Sequence, residues 1–155
     1  MTQAQTPVKW DLITFNFGLH DMTSTMHCKQ LYQDQLTNIF NRLVALQTKL
    51  MWVTTTPFMP RRLQNDTVVE DMNAIALKIV VPGIPVVDLY SAVTEKCGAV
   101  YTNCSICAEE PCTAHYNTEG MEMQAQILAD AIAKALSLQT QKGRWPWQTL
   151  FLRTA

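Results

Sequence analysis

The chain has 155 residues, 48% of them hydrophobic, and its 12 Lys and Arg against 13 Asp and Glu leave a net charge of −1. That size and apolar content suit one domain over residues 1–155 with a single core, and the near-neutral balance removes the electrostatic case for nucleic acid or an anionic membrane as partner. No apolar run approaches the roughly 20 residues of a membrane span, and the opening MTQAQTPVK carries neither a secretory apolar stretch nor an arginine-rich transit pattern, so the chain reads as soluble.

The first element is WDLITFNF, Trp10 to Phe17, whose apolar and β-branched content predicts a buried strand ending at Gly18, with the polar His20 and Asp21 just beyond. A long helical pattern follows, with Tyr32, Leu36, Ile39, Phe40, Leu43, Val44 and Leu50 on one face. MWVTTTPF is the second strand, stopped by Pro57. Asn65 and Asp66 then cap a helix in which Val68, Met72, Ile75, Ala76 and Ile79 recur at helical spacing. Gly83 breaks the chain, and a third strand, Ile84 to Tyr90, leads into a loop of cysteines. The last helix has Asn117 as its N-cap, Glu119 in the first turn, and a core face of Ile127, Leu128, Ala131, Ile132, Ala135 and Leu136.

Strands alternating with helices predict an α/β fold, a three-layer α/β/α sandwich around a parallel sheet. In such sheets functional groups gather at the carboxyl ends of the strands, where His20 with Asp21 and the loop of His115 are both expected. His115 stands two residues before the cap of the last helix, in a segment too polar to be deeply buried, so its imidazole is offered at a fixed point. Taken alone, such a histidine is more often a surface or capping residue than a catalytic one.

The runs FNFGLHD, VTTTPF, VVDLY and HYNTEG, in that order over about residues 10 to 137, resemble the later blocks of the SGNH (GDSL-type) hydrolases. The resemblance implies that His115 is the general base acting on a serine nucleophile. It places Gly18 and His20 on the block that carries a glycine and an asparagine of the oxyanion hole. His20 stands at the asparagine's place, and Asn16 is a second candidate donor. The aspartate expected three residues before the histidine is replaced by Cys112, which leaves the orienting group of His115 open between a carboxylate from elsewhere, a backbone carbonyl and none. The glycine-aspartate-serine block is absent, and none of the four serines, Ser24, Ser91, Ser105 and Ser137, stands in its pattern. The resemblance implies that the chain corresponds to the carboxyl half of the fold, which is then expected to be incomplete at the amino end. The sheet is then expected to expose an unpaired edge beside the first strand, to be completed by a partner chain or by self-association.

The cysteines admit other chemistry. Cys104, Cys107, Cys112 and His115 form C-x2-C-x4-C-x2-H, the alternative reading as a zinc site, which would take His115 as a ligand. Alternatively, Cys97, Cys104, Cys107 and Cys112 make two local disulfides and leave Cys28 free, which suits an oxidising compartment. The acceptor patterns Asn65-Asp66-Thr67 and Asn103-Cys104-Ser105 agree with an extracytoplasmic origin, and such patterns also arise by chance. Met121 and Met123 read as gap-filling apolar residues, and Arg61 and Arg62 as solvated loop charges. The tail GRWPWQTLFLRTA, within residues 138–155, either packs over the sheet or offers an apolar patch to a partner. The expected function is hydrolysis of a carboxylic ester, such as an acetylated carbohydrate or a lipid, with no cofactor and with the serine outside this chain. The alternative is a non-catalytic binding or scaffold protein of the same fold, built around a zinc or disulfide loop.

Overall fold

The computed structural model describes residues 9–20, 29–58, 67–80, 83–98 and 103–137. Three strands, β1 (Leu12–Phe15), β2 (Lys49–Val53) and β3 (Val86–Val87), form a parallel sheet in the order β1-β2-β3. Four helices surround it: α1 (Lys29–Ala45), α2 (Thr67–Val80), α3 (Leu89–Cys97) and α4 (Thr118–Ser137). The fold class is therefore α/β with a parallel sheet, as the alternating pattern predicts.

All five residues of β2 are buried, because a parallel strand in the middle of a sheet is covered on both faces. Side chains alternate along it. Leu50 and Trp52 enter the core with Phe15, Leu36, Val69, Met72, Ala76 and Val80, beneath α1 and α2. Met51 and Val53 join Val87, Leu89 and Ala135 on the other face, against the apolar stripe Ile127, Leu128, Ala131 and Ile132 of α4. The two crossovers step across the sheet in the same direction, so one handedness places α1 and α2 on one face. The other face is left to α4.

Lys49, at the start of β2, is buried and donates from Nζ to the Ala135 carbonyl in the last turn of α4 at 3.3 Å. Burial pushes its ammonium down from the usual lysine range, and Asp11 partly opposes this. The contact fixes direction: α4 ends beside the amino end of β2, so it runs against the strands and begins at their carboxyl ends.

Several boundaries differ from the sequence reading. Leu50 lies in β2 rather than on the face of the first helix, because Leu46 N and Gln47 N bond back to Leu43 O and Val44 O and close α1 before it. The first strand is confined to Leu12–Phe15 and the second ends at Val53, since only those residues find ladder partners. The third strand pairs only at Val86 and Val87 and gives way at once to α3, a helix the sequence reading passed over. Asp88 is the reason. Its carboxylate accepts from Ser91 N at 3.0 Å and caps the helix, so the chain turns out of the ladder. Asp21, Cys28, Arg61, Arg62, Asn65, Asp66 and the tail 138–155 lie outside the described residues.

Candidate active site at the carboxyl rim of the sheet

Three loops meet where the parallel strands end. After β1, the Asn16 amide donates to Val53 O at 2.7 Å and to Thr55 Oγ1 at 3.1 Å, tying this turn to the end of β2. Both amide protons are committed in this arrangement, and donation to a bound oxyanion requires one to leave Thr55. Gly18 is buried at φ +132°, and a Cβ there would meet Tyr32 Oη at 3.3 Å and Thr55 Oγ1 at 3.6 Å. The left-handed backbone favours a glycine there, and an added Cβ would also crowd the Tyr32 hydroxyl. Tyr32 Oη donates to Phe17 O at 3.0 Å and holds the same turn from α1. His20 follows, exposed to solvent.

After β2, the buried Asn73 of α2 fastens Thr55 at both backbone atoms: Thr55 N donates to Asn73 Oδ1 at 2.9 Å and Asn73 Nδ2 donates to Thr55 O at 2.8 Å. Neither Asn73 nor this clamp was singled out from the sequence. After β3, the Asp88 carboxylate gathers Ser91 Oγ at 2.6 Å and Thr54 Oγ1 at 3.0 Å as well as Ser91 N. Burial pushes Asp88 up, but the donated bonds from Ser91, Thr54 and Tyr90 outweigh it and hold the carboxyl below the usual aspartate range. Ser91 is spent on this cap.

The fourth contribution comes from the loop ahead of α4. Asn117 is the N-cap expected from the sequence: Gly120 N donates to its Oδ1 at 3.1 Å, and its own amide donates to Ser105 O and Cys107 O at 2.7 and 3.2 Å. Gly120 lets α4 press on this loop, since a Cβ there would stand 2.6 Å from Ile106 O. An isolated antiparallel bridge pairs Cys107 with Tyr116, with Ala108 N on His115 O and Asn117 N on Ile106 O, each at 3.0 Å. Tyr116 Oη donates to Pro57 O at 3.4 Å and joins the loop to the end of β2. Thus Asn16, Gly18 and Thr55 stand on the rim that also carries Tyr116 and its neighbour His115.

His115 is 72% exposed, as its polar segment implies. Its Nδ1 lies 3.0 Å from Glu109 Oε1, and Thr113 Oγ1 is 3.4 Å from the same nitrogen. Glu109 went unnoticed in the sequence because six residues separate it from His115, and only a folded loop brings them together.

The alternative zinc set is corrected here. Cys97 is bonded to Cys104 and Cys107 to Cys112, and a disulfide sulfur is not the thiolate that zinc requires. Among the described residues no group of three or more His, Cys, Asp or Glu side chains is placed to hold a metal ion, and no helix is long and apolar enough to cross a membrane.

No protein-family profile and no curated protein matches the sequence. In structure the chain is similar to a GDSL-like lipase from Bacteroides thetaiotaomicron VPI-5482, with a TM-score of 0.61 and 17% identity over 81% of this chain. The match spans 63% of the lipase, less than two thirds of its length. At that identity the likeness establishes a GDSL-like α/β fold.

Proposed function

We propose that the chain is the histidine-bearing part of an SGNH-type ester hydrolase, with His115 as general base and the nucleophilic serine outside these 155 residues. The observation that carries this reading is the exposed imidazole of His115 on the carboxyl rim of a GDSL-like fold. In the reaction, His115 Nε2 takes the proton of the serine hydroxyl as Oγ bonds to the ester carbonyl carbon. The C–O bond to the leaving alcohol then breaks, and that oxygen takes the proton from the imidazolium. Water repeats the sequence on the acyl-enzyme. Gly18 offers a backbone N–H, and His20 a ring N–H, to the oxyanion, with Asn16 joining by releasing Thr55. The substrate class is a carboxylic ester such as an acetylated carbohydrate or a lipid.

The outer edge of β1 completes the proposal. Among the described residues β1 pairs only with β2, and Trp10 at 57% and Phe17 at 41% exposure flank it. An edge of this kind is a template for another strand. The strand and the serine come together from a longer chain or a partner, or the edge is covered by self-association. The two disulfides favour an oxidising, extracytoplasmic location. The same disulfides also suit the second reading, a non-catalytic scaffold with a stapled loop.

Hydrolysis of p-nitrophenyl acetate separates the readings, measured for this chain and for a protein extended upstream to include a glycine-aspartate-serine block. Activity in the extended protein alone is expected. A folded extended protein without activity is the scaffold's result.

A further inference from the structure

Three residues before His115, where the resembled family carries its aspartate, the sulfur of Cys112 is bonded to Cys107. A disulfide sulfur has neither charge nor proton, so residue 112 cannot hold an imidazole by ion pairing or stabilise its cation. That bond does something else: it closes the short turn that contains Glu109. The Ala108 N to His115 O bond closes an overlapping loop that also contains Glu109, and brings Glu109 to face His115. Glu109 Oε1 sits 3.0 Å from His115 Nδ1. Thr113 braces the pair, its hydroxyl donating to Glu109 Oε2 and its oxygen accepting the His115 backbone N–H, each at 3.4 Å.

We infer that Glu109 is the positioning residue of His115, supplying from six residues upstream the carboxylate that position 112 lacks. An ionised carboxylate only accepts hydrogen bonds, so Nδ1 carries the proton and the Nε2 lone pair is the one left for base chemistry. When His115 takes a proton, the Glu109 charge offsets that of the imidazolium. The catalytic consequence rests on the reading of His115 as general base; the tautomer does not.

Two measurements keep those claims apart. The first uses this chain, labelled with ¹⁵N-histidine, at a pH of about 8.5 where an ordinary imidazole is neutral. The chain has three histidines, and His115→Gln identifies the signals of interest. The expected spectrum has His115 as the Nδ1–H tautomer, retained in Glu109→Gln, whose carbonyl still accepts, and lost to mainly Nε2–H in Glu109→Ala. An exposed pair adds little to stability, so both variants remain folded. An Nε2–H tautomer in the unaltered chain, or a spectrum indifferent to Glu109→Ala, overturns the inference. The second measurement uses the extended, serine-bearing protein. Glu109→Ala is expected to lower kcat on the order of 100-fold or more with KM within about twofold, and Glu109→Gln to fall between. Unchanged kcat in Glu109→Ala, with His115→Ala inactive, rejects Glu109 and leaves the hydrolase reading standing. A folded extended protein that hydrolyses nothing, beside the expected tautomer spectra, rejects the hydrolase reading and leaves Glu109 as the group that orients His115.

Discussion

Single residues hold the segments of the carboxyl rim in place. Gly120 is the sharpest case, because the backbone carbonyl of Ile106 fills the space where a side chain would begin. Gly120→Ala is expected to cost about 1–3 kcal/mol, read as a shift of the urea midpoint at constant slope. Asp88 is the second case. Its carboxyl is held below the usual aspartate range, so it contributes stability above about pH 3.9 that is lost as pH falls through its lower folded value. Asp88→Ala should therefore lower Tm by a few degrees at pH 7, as loss of a helix cap does, and the gap to the unaltered protein should narrow in acid. A gap independent of pH would deny the charge a part. At this scale the sequence showed what depends on near neighbours. Asn117 was legible as a cap because capping is a contact across three residues. Asn73 and Glu109 were not, since one reaches another element and the other needs a closed loop.

The cysteine loop is the element on which the site turns. Its four cysteines were visible as two local bridges, or three of them with His115 as a metal site, and spacing could not choose between them. The structure pairs each cysteine with a near neighbour in the chain, with separations of 7 and 5 residues. Such short loops restrict the unfolded chain modestly, so replacing Cys107 and Cys112 together by Ser is expected to cost about 2 kcal/mol. The more telling readout is local: amide exchange at Ala108 and Asn117, whose hydrogen bonds close the hairpin, should speed up in that variant while amides of β2 stay protected. Equal acceleration everywhere would mean the loop is part of the global fold rather than a stapled attachment. The missed helix α3 has a similar lesson. Ile84 to Tyr90 carries enough apolar residues for a strand, yet one aspartate with a serine three residues later ends the ladder. β2 was legible only over Met51–Val53, an apolar run buried on both faces, whereas Lys49 and Leu50 were not read as strand and the residues after Val53 were.

For the whole molecule, the sheet order and the helix directions bring the ends of three strands and the start of α4 to one rim. The alternation of elements conveyed the α/β class and its parallel sheet. It could not convey what pairs with β1, because an edge strand and an inner strand differ in their neighbours rather than in their residues. With the β1 edge open, this chain is expected to self-associate with rising concentration in sedimentation velocity, and the extended protein to remain monomeric under the same conditions. The most direct test of the central claim is the hydrolysis of p-nitrophenyl acetate by the extended protein with and without His115→Ala. With His115 as general base, kcat is expected to fall by about 1,000-fold or more while the circular dichroism spectrum is unchanged. Full activity in the His115→Ala protein would contradict that role for His115.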